Sequence, residues 1–154
     1  MNIFYLDECP RLAARYHCDK HVVKMLLETA QLLCSVFPQG DAPYRRTHYN
    51  HPSSVWVRSS SEAYAWAVAL GKALSSEYTQ RYGKVHKSAA VIEWCEGNAP
   101  ALPSDPFTAP PQCMPDRYMH ANTVEAYRAY YIGDKERFAV WAHGDAPCWW
   151  TASG

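Results

Sequence analysis

His17, His21, Lys24 and Glu28 stand at i, i+4, i+7 and i+11. On one α-helix this spacing stacks two imidazoles, an amine and a carboxylate along a single face. The set can do chemistry. Imidazole moves protons near neutral pH, an amine such as Lys24 or Lys20 attacks an electrophilic carbon, and Glu28 stabilises the positive charge that develops. Two other readings stay open. Lys24 and Glu28 can equally form a plain ion pair on a helix surface, worth a few tenths of a kcal/mol. Alternatively His17 and His21 chelate zinc or iron, given a third ligand from His51, His86, His120 or a carboxylate. Val22, Val23, Met25, Leu26 and Leu27 leave little of this helix free to face water, which favours a partly enclosed polar row.

The elements that must position these residues read as helices. Pro10 suits a first helical turn, and apolar residues recur through Leu12, Tyr16, Val23, Leu26, Leu27, Ala30 and Leu33, predicting one helix from Pro10 to about Phe37. Pro38-Gln39-Gly40-Asp41 stops it. Ser60-Ser61-Glu62 predicts the capped start of a second long helix ending near Tyr82-Gly83. A shorter helix spans about Lys87 to Glu96, another runs from Thr123 through Tyr131, and a last one covers Asp134 to about Trp141. The proline-rich stretch 99–116 carries Leu102, Phe107, Cys113 and Met114 and reads as an ordered wrapping loop. Only Ile3 to Leu6 has strand character. The expected fold is mainly α: one compact helical domain over residues 1–154 with long ordered loops.

Further clusters join cations to aromatic and polar side chains. Arg45, Arg46, His48, Asn50, His51, Ser53, Trp56 and Arg58 combine guanidinium forks for phosphate, polar groups for sugar or base edges and a ring for stacking. Arg81 to Lys84 reads as an ordinary helix end, with Lys84 a further candidate phosphate contact. Tyr127, Arg128, Tyr130, Tyr131 and Lys135 again interleave rings with charge. Trp149-Trp150 is a large apolar load that either docks on the core or marks a partner site.

Fifteen basic and fifteen acidic residues cancel, so any polyanion must be held by a local patch. The six cysteines form no C-x-x-C pair and read as free thiols of a reducing compartment. No apolar run approaches a membrane span, and the amino terminus lacks a basic leader, so a soluble cytoplasmic protein is expected.

Tyr16 to Glu28, Asn50-His51-Pro52-Ser53, Glu77-Tyr78 to Lys87-Ser88, Met114-Pro115-Asp116 and Ala126-Tyr127-Arg128 to Lys135 resemble a family of small proteins common in bacteriophage genomes, over nearly the whole length. More remotely, the order of features is similar to the pyrimidine-dimer DNA glycosylases. Those small helical enzymes have an early helix with His, basic and Glu side chains, a His-containing loop before a long helix, and a late Tyr-Tyr-x-Gly-x-Lys-like stretch, here Tyr130 to Lys135. That family's nucleophile is the α-amine of a small residue exposed when the initiator Met is removed. Asn2 departs from this pattern, leaving Lys24 or Lys20 as the amine for any lyase step.

The resemblance implies a DNA- or nucleotide-processing enzyme, foremost a base-excising N-glycosylase needing no cofactor. Glu28 would act at the sugar, His17 or His21 would handle protons, the arginines would hold phosphates, and Trp56, Tyr130 or Tyr131 would stack on an extruded base. The alternatives are a His17–His21 metalloenzyme acting on a phosphorylated small molecule, and a non-enzymatic accessory protein that binds a host protein.

Overall fold

The computed structural model describes residues 2–143 and 145–150. Among them are six α-helices and no strand: α1 (Pro10–Tyr16), α2 (Asp19–Cys34), α3 (Pro52–Val57), α4 (Ser61–Tyr82), α5 (Ala89–Gly97) and α6 (Thr123–Asp134). A single 3-10 turn, Asp116–Tyr118, precedes α6. The fold is mainly α, as the hydrophobic periodicity implies. No described helix is long and apolar enough to cross a membrane.

Helix α4 is the central post, packed by α1, α2 and α5. Ser60 caps it by accepting a hydrogen bond from the Ala63 N–H, and Gly83 ends it in the left-handed conformation at φ 71°. Along α2, Val22, Met25, Leu26, Ala30 and Leu33 turn into the core, and Lys20, Val23 and Lys24 stay outside. Helix α5 lies close against α4, where Tyr64 donates to the Cys95 carbonyl at 2.7 Å. The Cys34 and Cys95 thiols touch at 3.9 Å between α2 and α5, and all six cysteines are free.

This approach needs a glycine. A Cβ at Gly71 would meet Ile92 Cδ1 at 2.6 Å, with two further Ile92 carbons at 3.1 Å. Gly71→Ala is therefore expected to lower stability by about 1–3 kcal/mol through overpacking. Chemical denaturation checks this, and adding Ile92→Val to the variant should recover part of the loss.

Three sequence expectations need correction, and one helix is an addition to them. The first helix is broken: His17 and Cys18 are extended (ψ 134° and 162°), so α1 and α2 are separate helices. Long-range partners hold the break open. Arg81 donates to the carbonyls of Arg15 and His17, and the Cys18 N–H donates to the Tyr131 hydroxyl at 3.1 Å. Groups that a continuous helix would pair internally are satisfied from outside. Residues Pro52–Val57 form α3, which lacks any long periodic pattern and starts from the His51 cap at Pro52. The expected helix from Asp134 to Trp141 is instead the end of α6 followed by a turn and extended chain. Ile3 to Leu6 forms no strand; it is a buried extended segment whose Phe4 ring meets those of His21, Tyr127, Tyr130 and Tyr131.

Candidate functional site

The break in the first helix takes His17 off the polar row. His17 is fully buried as the C-cap of α1, with Nδ1 2.6 Å from the Ala13 carbonyl. His21 faces inward as well. Its ring packs on Phe4 and Phe138, and Nδ1 lies 2.8 Å from the Tyr131 hydroxyl. Burial pushes the His17 pKa down to about 4, helped by the Arg81 charge against an opposing bond to the Ala13 carbonyl. Burial also pushes His21 down to about 2, with the charges of His17, Lys135, Lys24 and Lys20 adding to it. Both imidazoles are neutral at pH 7 and sealed beneath aromatic rings.

The third ligand that a metal centre on these two histidines requires does not come: among the described residues no three His, Cys, Asp or Glu side chains gather around an ion, and the two rings stand 6.4 Å apart between centroids.

On the outer face of α2 the row survives as Lys20, Lys24 and Glu28. Lys24 Nζ is 4.0 Å from Glu28 Oε2, with side-chain exposures of 63% and 12%. The ammonium is in solvent and the carboxylate is largely enclosed, so their attraction is screened at only one end. Lys135 joins the same end of the helix, its ammonium 4.6 Å from the Tyr130 ring centroid and 5.7 Å from that of Phe4. Lys20 lies 4.9 Å from the centroid of Phe138.

Past Glu28 along α2, a groove of about 560 Å³ opens between Leu27 and Gln31 on one side and Tyr44, Arg45, Arg46, Thr47 and Lys87 on the other. No carboxylate is among the described residues that line it. Glu28 therefore lies about 12 Å along α2 from Lys20 and about 4.5 Å before Gln31 at helical rise, between the lysines of this face and the groove. His51 belongs to the same neighbourhood. Burial lowers its pKa, the His48 charge lowers it further, and the Glu28 charge pulls it back up. Its Nδ1 accepts from the Ser53 N–H, which leaves the proton of the neutral ring on Nε2.

The other predicted residues divide into exposed and structural ones. Arg45, His48, Asn50 and Lys84 are exposed, and His48 turns the loop at φ 51° with Nδ1 2.8 Å from the Thr47 hydroxyl. Tyr130 is half-buried, stacked on Phe4. Ser53 is buried against Cys113, and Trp56 is buried with Nε1 donating to the Thr108 carbonyl. Tyr127 is buried too, its hydroxyl bonded to Asn2 Oδ1. Tyr131 is fully buried beside His21, and Arg128 is tied to the Leu6 carbonyl and the Asp7 carboxylate. Trp56, Tyr127 and Tyr131 thus present no face to a ligand. Trp149 and Trp150 are partly buried, packed on Tyr131 and Trp141.

Two residues that the sequence did not single out prove important. Arg81, whose side chain is 6% exposed, reads from sequence as a helix-end charge, yet it bonds Glu77 and Asp19 and holds the break before α2. Its i, i+4 pairing with Glu77 is local, but Asp19 and the carbonyls of Arg15 and His17 lie more than 60 residues away, so nothing in the segment marks its role at the break. Tyr49 is the other: an aromatic flanked three residues before by Arg46 and nine after by Arg58, a spacing without helical or strand meaning.

No protein-family model matches the chain, and no curated protein or solved structure matches it either.

Proposed function

We propose that the chain processes nucleic acid by excising a base from DNA, with Glu28 as the catalytic carboxylate. The observation that carries this reading is the largely enclosed Glu28 carboxylate, set beside Lys24 on the outer face of α2 and next along the helix to Leu27 of a groove whose described lining holds no acidic side chain. A phosphodiester strand lies favourably along such a face despite the zero net charge, because local cations rather than the overall field contact the phosphates. Base excision is the reaction that such a carboxylate serves. As the C1′–N bond lengthens the sugar gains oxocarbenium character, which Glu28 stabilises.

Water then adds to C1′ and its proton leaves to Glu28. The departing base accepts a hydrogen bond from the Nε2–H of His51, which is only partly buried, and takes its proton from solvent water. In a glycosylase–lyase route Lys24 takes the place of water: after its ammonium gives a proton to Glu28, Nζ displaces the base at C1′, and proton transfer with opening of the sugar ring gives an imine.

The test is incubation with DNA duplexes and single strands that each carry one altered base. Free base and an alkali-labile abasic site should appear, and borohydride should trap a covalent adduct only if the lyase step operates. Absence of released base from every substrate class, with the protein folded, would sink the proposal. Stoichiometric binding of a nucleoside monophosphate without excision would redirect it to a nucleotide-processing enzyme.

A further inference from the structure

Tyr49 is held between two guanidinium groups. The central carbons of Arg46 and Arg58 stand 4.2 and 3.8 Å from its ring centroid. Two cationic planes at those distances do not fit on one face of a six-membered ring, so they occupy opposite faces. Each is anchored a second time by a backbone carbonyl: Arg46 Nη2 donates to Phe37 O and Arg58 Nη1 donates to Tyr49 O, both at 2.6 Å. Neither guanidinium makes an ion pair among the described residues, and the Arg46 Nε–H is buried without a partner. Tyr49 as a residue is 36% exposed.

With both faces covered, Tyr49 is no platform for a base. It is a spacer. The electron-rich faces stabilise the two cations and set their separation, while the carbonyls orient them and leave N–H groups of each fork uncommitted. Two like charges fixed this close without counter-charges suit a ligand bearing two anionic groups at a similar separation, such as neighbouring phosphates of one strand. A lone phosphate would engage only one fork. Arg46 also lines the groove beside Leu27 and Gln31, which places the stack at the edge of the groove that adjoins Glu28 along α2.

We propose that Arg46, Tyr49 and Arg58 clamp two successive phosphodiesters of a single nucleic-acid strand as it enters the α2 groove, with the Tyr49 ring setting the spacing. The clamp rests on the base-excision reading of Glu28 and extends it from the reacting sugar to the flanking backbone.

The experiment measures binding rather than turnover, so the clamp and the base-excision reading can fail separately. In a Glu28→Gln background, fluorescence anisotropy follows a labelled single-stranded oligonucleotide across a salt series. Tyr49→Ala should weaken binding about fivefold and make the log–log salt dependence shallower by about 0.7 for each phosphate that the protein no longer neutralises. Tyr49→Phe, which keeps the ring, should bind within about twofold of its parent. Arg58→Lys, which keeps the charge but not the planar stack, should behave like Tyr49→Ala and carries the test if that variant does not fold. Unchanged affinity and slope in both Tyr49→Ala and Arg58→Lys would overturn the clamp, as would Tyr49→Phe proving as weak as Tyr49→Ala. Base excision by the protein with Glu28 intact, together with no binding effect in these variants, removes the clamp and keeps the enzyme reading. The expected binding effects without any base excision do the reverse.

Discussion

Glu28→Gln is expected to abolish base release, lowering the single-turnover rate by about a thousandfold while leaving the fold and oligonucleotide binding close to wild type. The substitution keeps the volume of the side chain in a site where only 12% of it is exposed, so packing along α2 is preserved. What it removes is the negative charge, which matters more as the sugar becomes cationic than in the ground state. The expected pattern is therefore a loss of rate with no loss of affinity. Strand binding could even tighten slightly, since an enclosed carboxylate beside a phosphate-binding groove repels the backbone. Glu28→Asp should retain a small part of the rate, because the charge is kept but set back by one methylene. Single-turnover release of base, with circular dichroism and anisotropy as controls, reads all three quantities. A Glu28→Gln protein within tenfold of wild type would show that Glu28 is not the catalytic group.

Stability should fall as the pH drops below about 6.5, before most carboxylates titrate. His17 and His21 are neutral in the folded protein because burial opposes their charge, His17 down to about 4 and His21 to about 2. Unfolded, both take up a proton near the ordinary histidine value, so below it the unfolded chain binds more protons than the fold. The stabilisation is complete above the unfolded pKa and is lost progressively as the pH falls toward the folded values. Each histidine should cost about 2 kcal/mol by pH 5, with a limiting slope of about 1.4 kcal/mol per pH unit. Urea titrations at pH 8, 6.5, 5.5 and 5 measure the effect. His21→Gln is expected to be less stable at pH 8, since the variant disturbs the packing on Phe4 and the bond to Tyr131, but to show roughly half the acid slope. A slope identical to wild type would mean that His21 is protonated in the fold. The same measurement bears on function: an imidazole that stays neutral and sealed to below pH 5 does not exchange protons with a substrate, so the proposed mechanism calls on neither His17 nor His21.

The extent to which the chain was legible follows from where each signal is stored. Helix α4 could be read almost to the residue, since Ser60 caps its first turn and Gly83 takes the left-handed conformation after its last, all within the segment itself. The inward face of α2 and the all-α class follow from apolar periodicity in the same way. The pairing of Lys24 with Glu28 was also readable, because i, i+4 neighbours meet on any helix.

The position of the break between α1 and α2 was not readable. It depends on Arg81 and Tyr131, 64 and 113 residues along the chain from the groups they hold. Helix α3 was missed because its six residues are too few for a period to emerge. The sites divide in the same manner. Residue types alone nominated His17, His21, Trp56, Tyr127 and Tyr131 alongside Glu28, Lys24 and Arg46, and nothing in a linear pattern separates a ring packed in the core from one that faces a ligand.

By itself, then, the sequence determined whatever is decided within a few turns of chain: helical class, caps, stops and neighbouring charges. Tertiary structure alone decided which polar groups lose their water, since desolvation depends on partners that arrive from elsewhere in the chain. That distinction leaves the Glu28 carboxylate largely enclosed beside Lys24 and seals His17 and His21 beneath Phe4 and Tyr131.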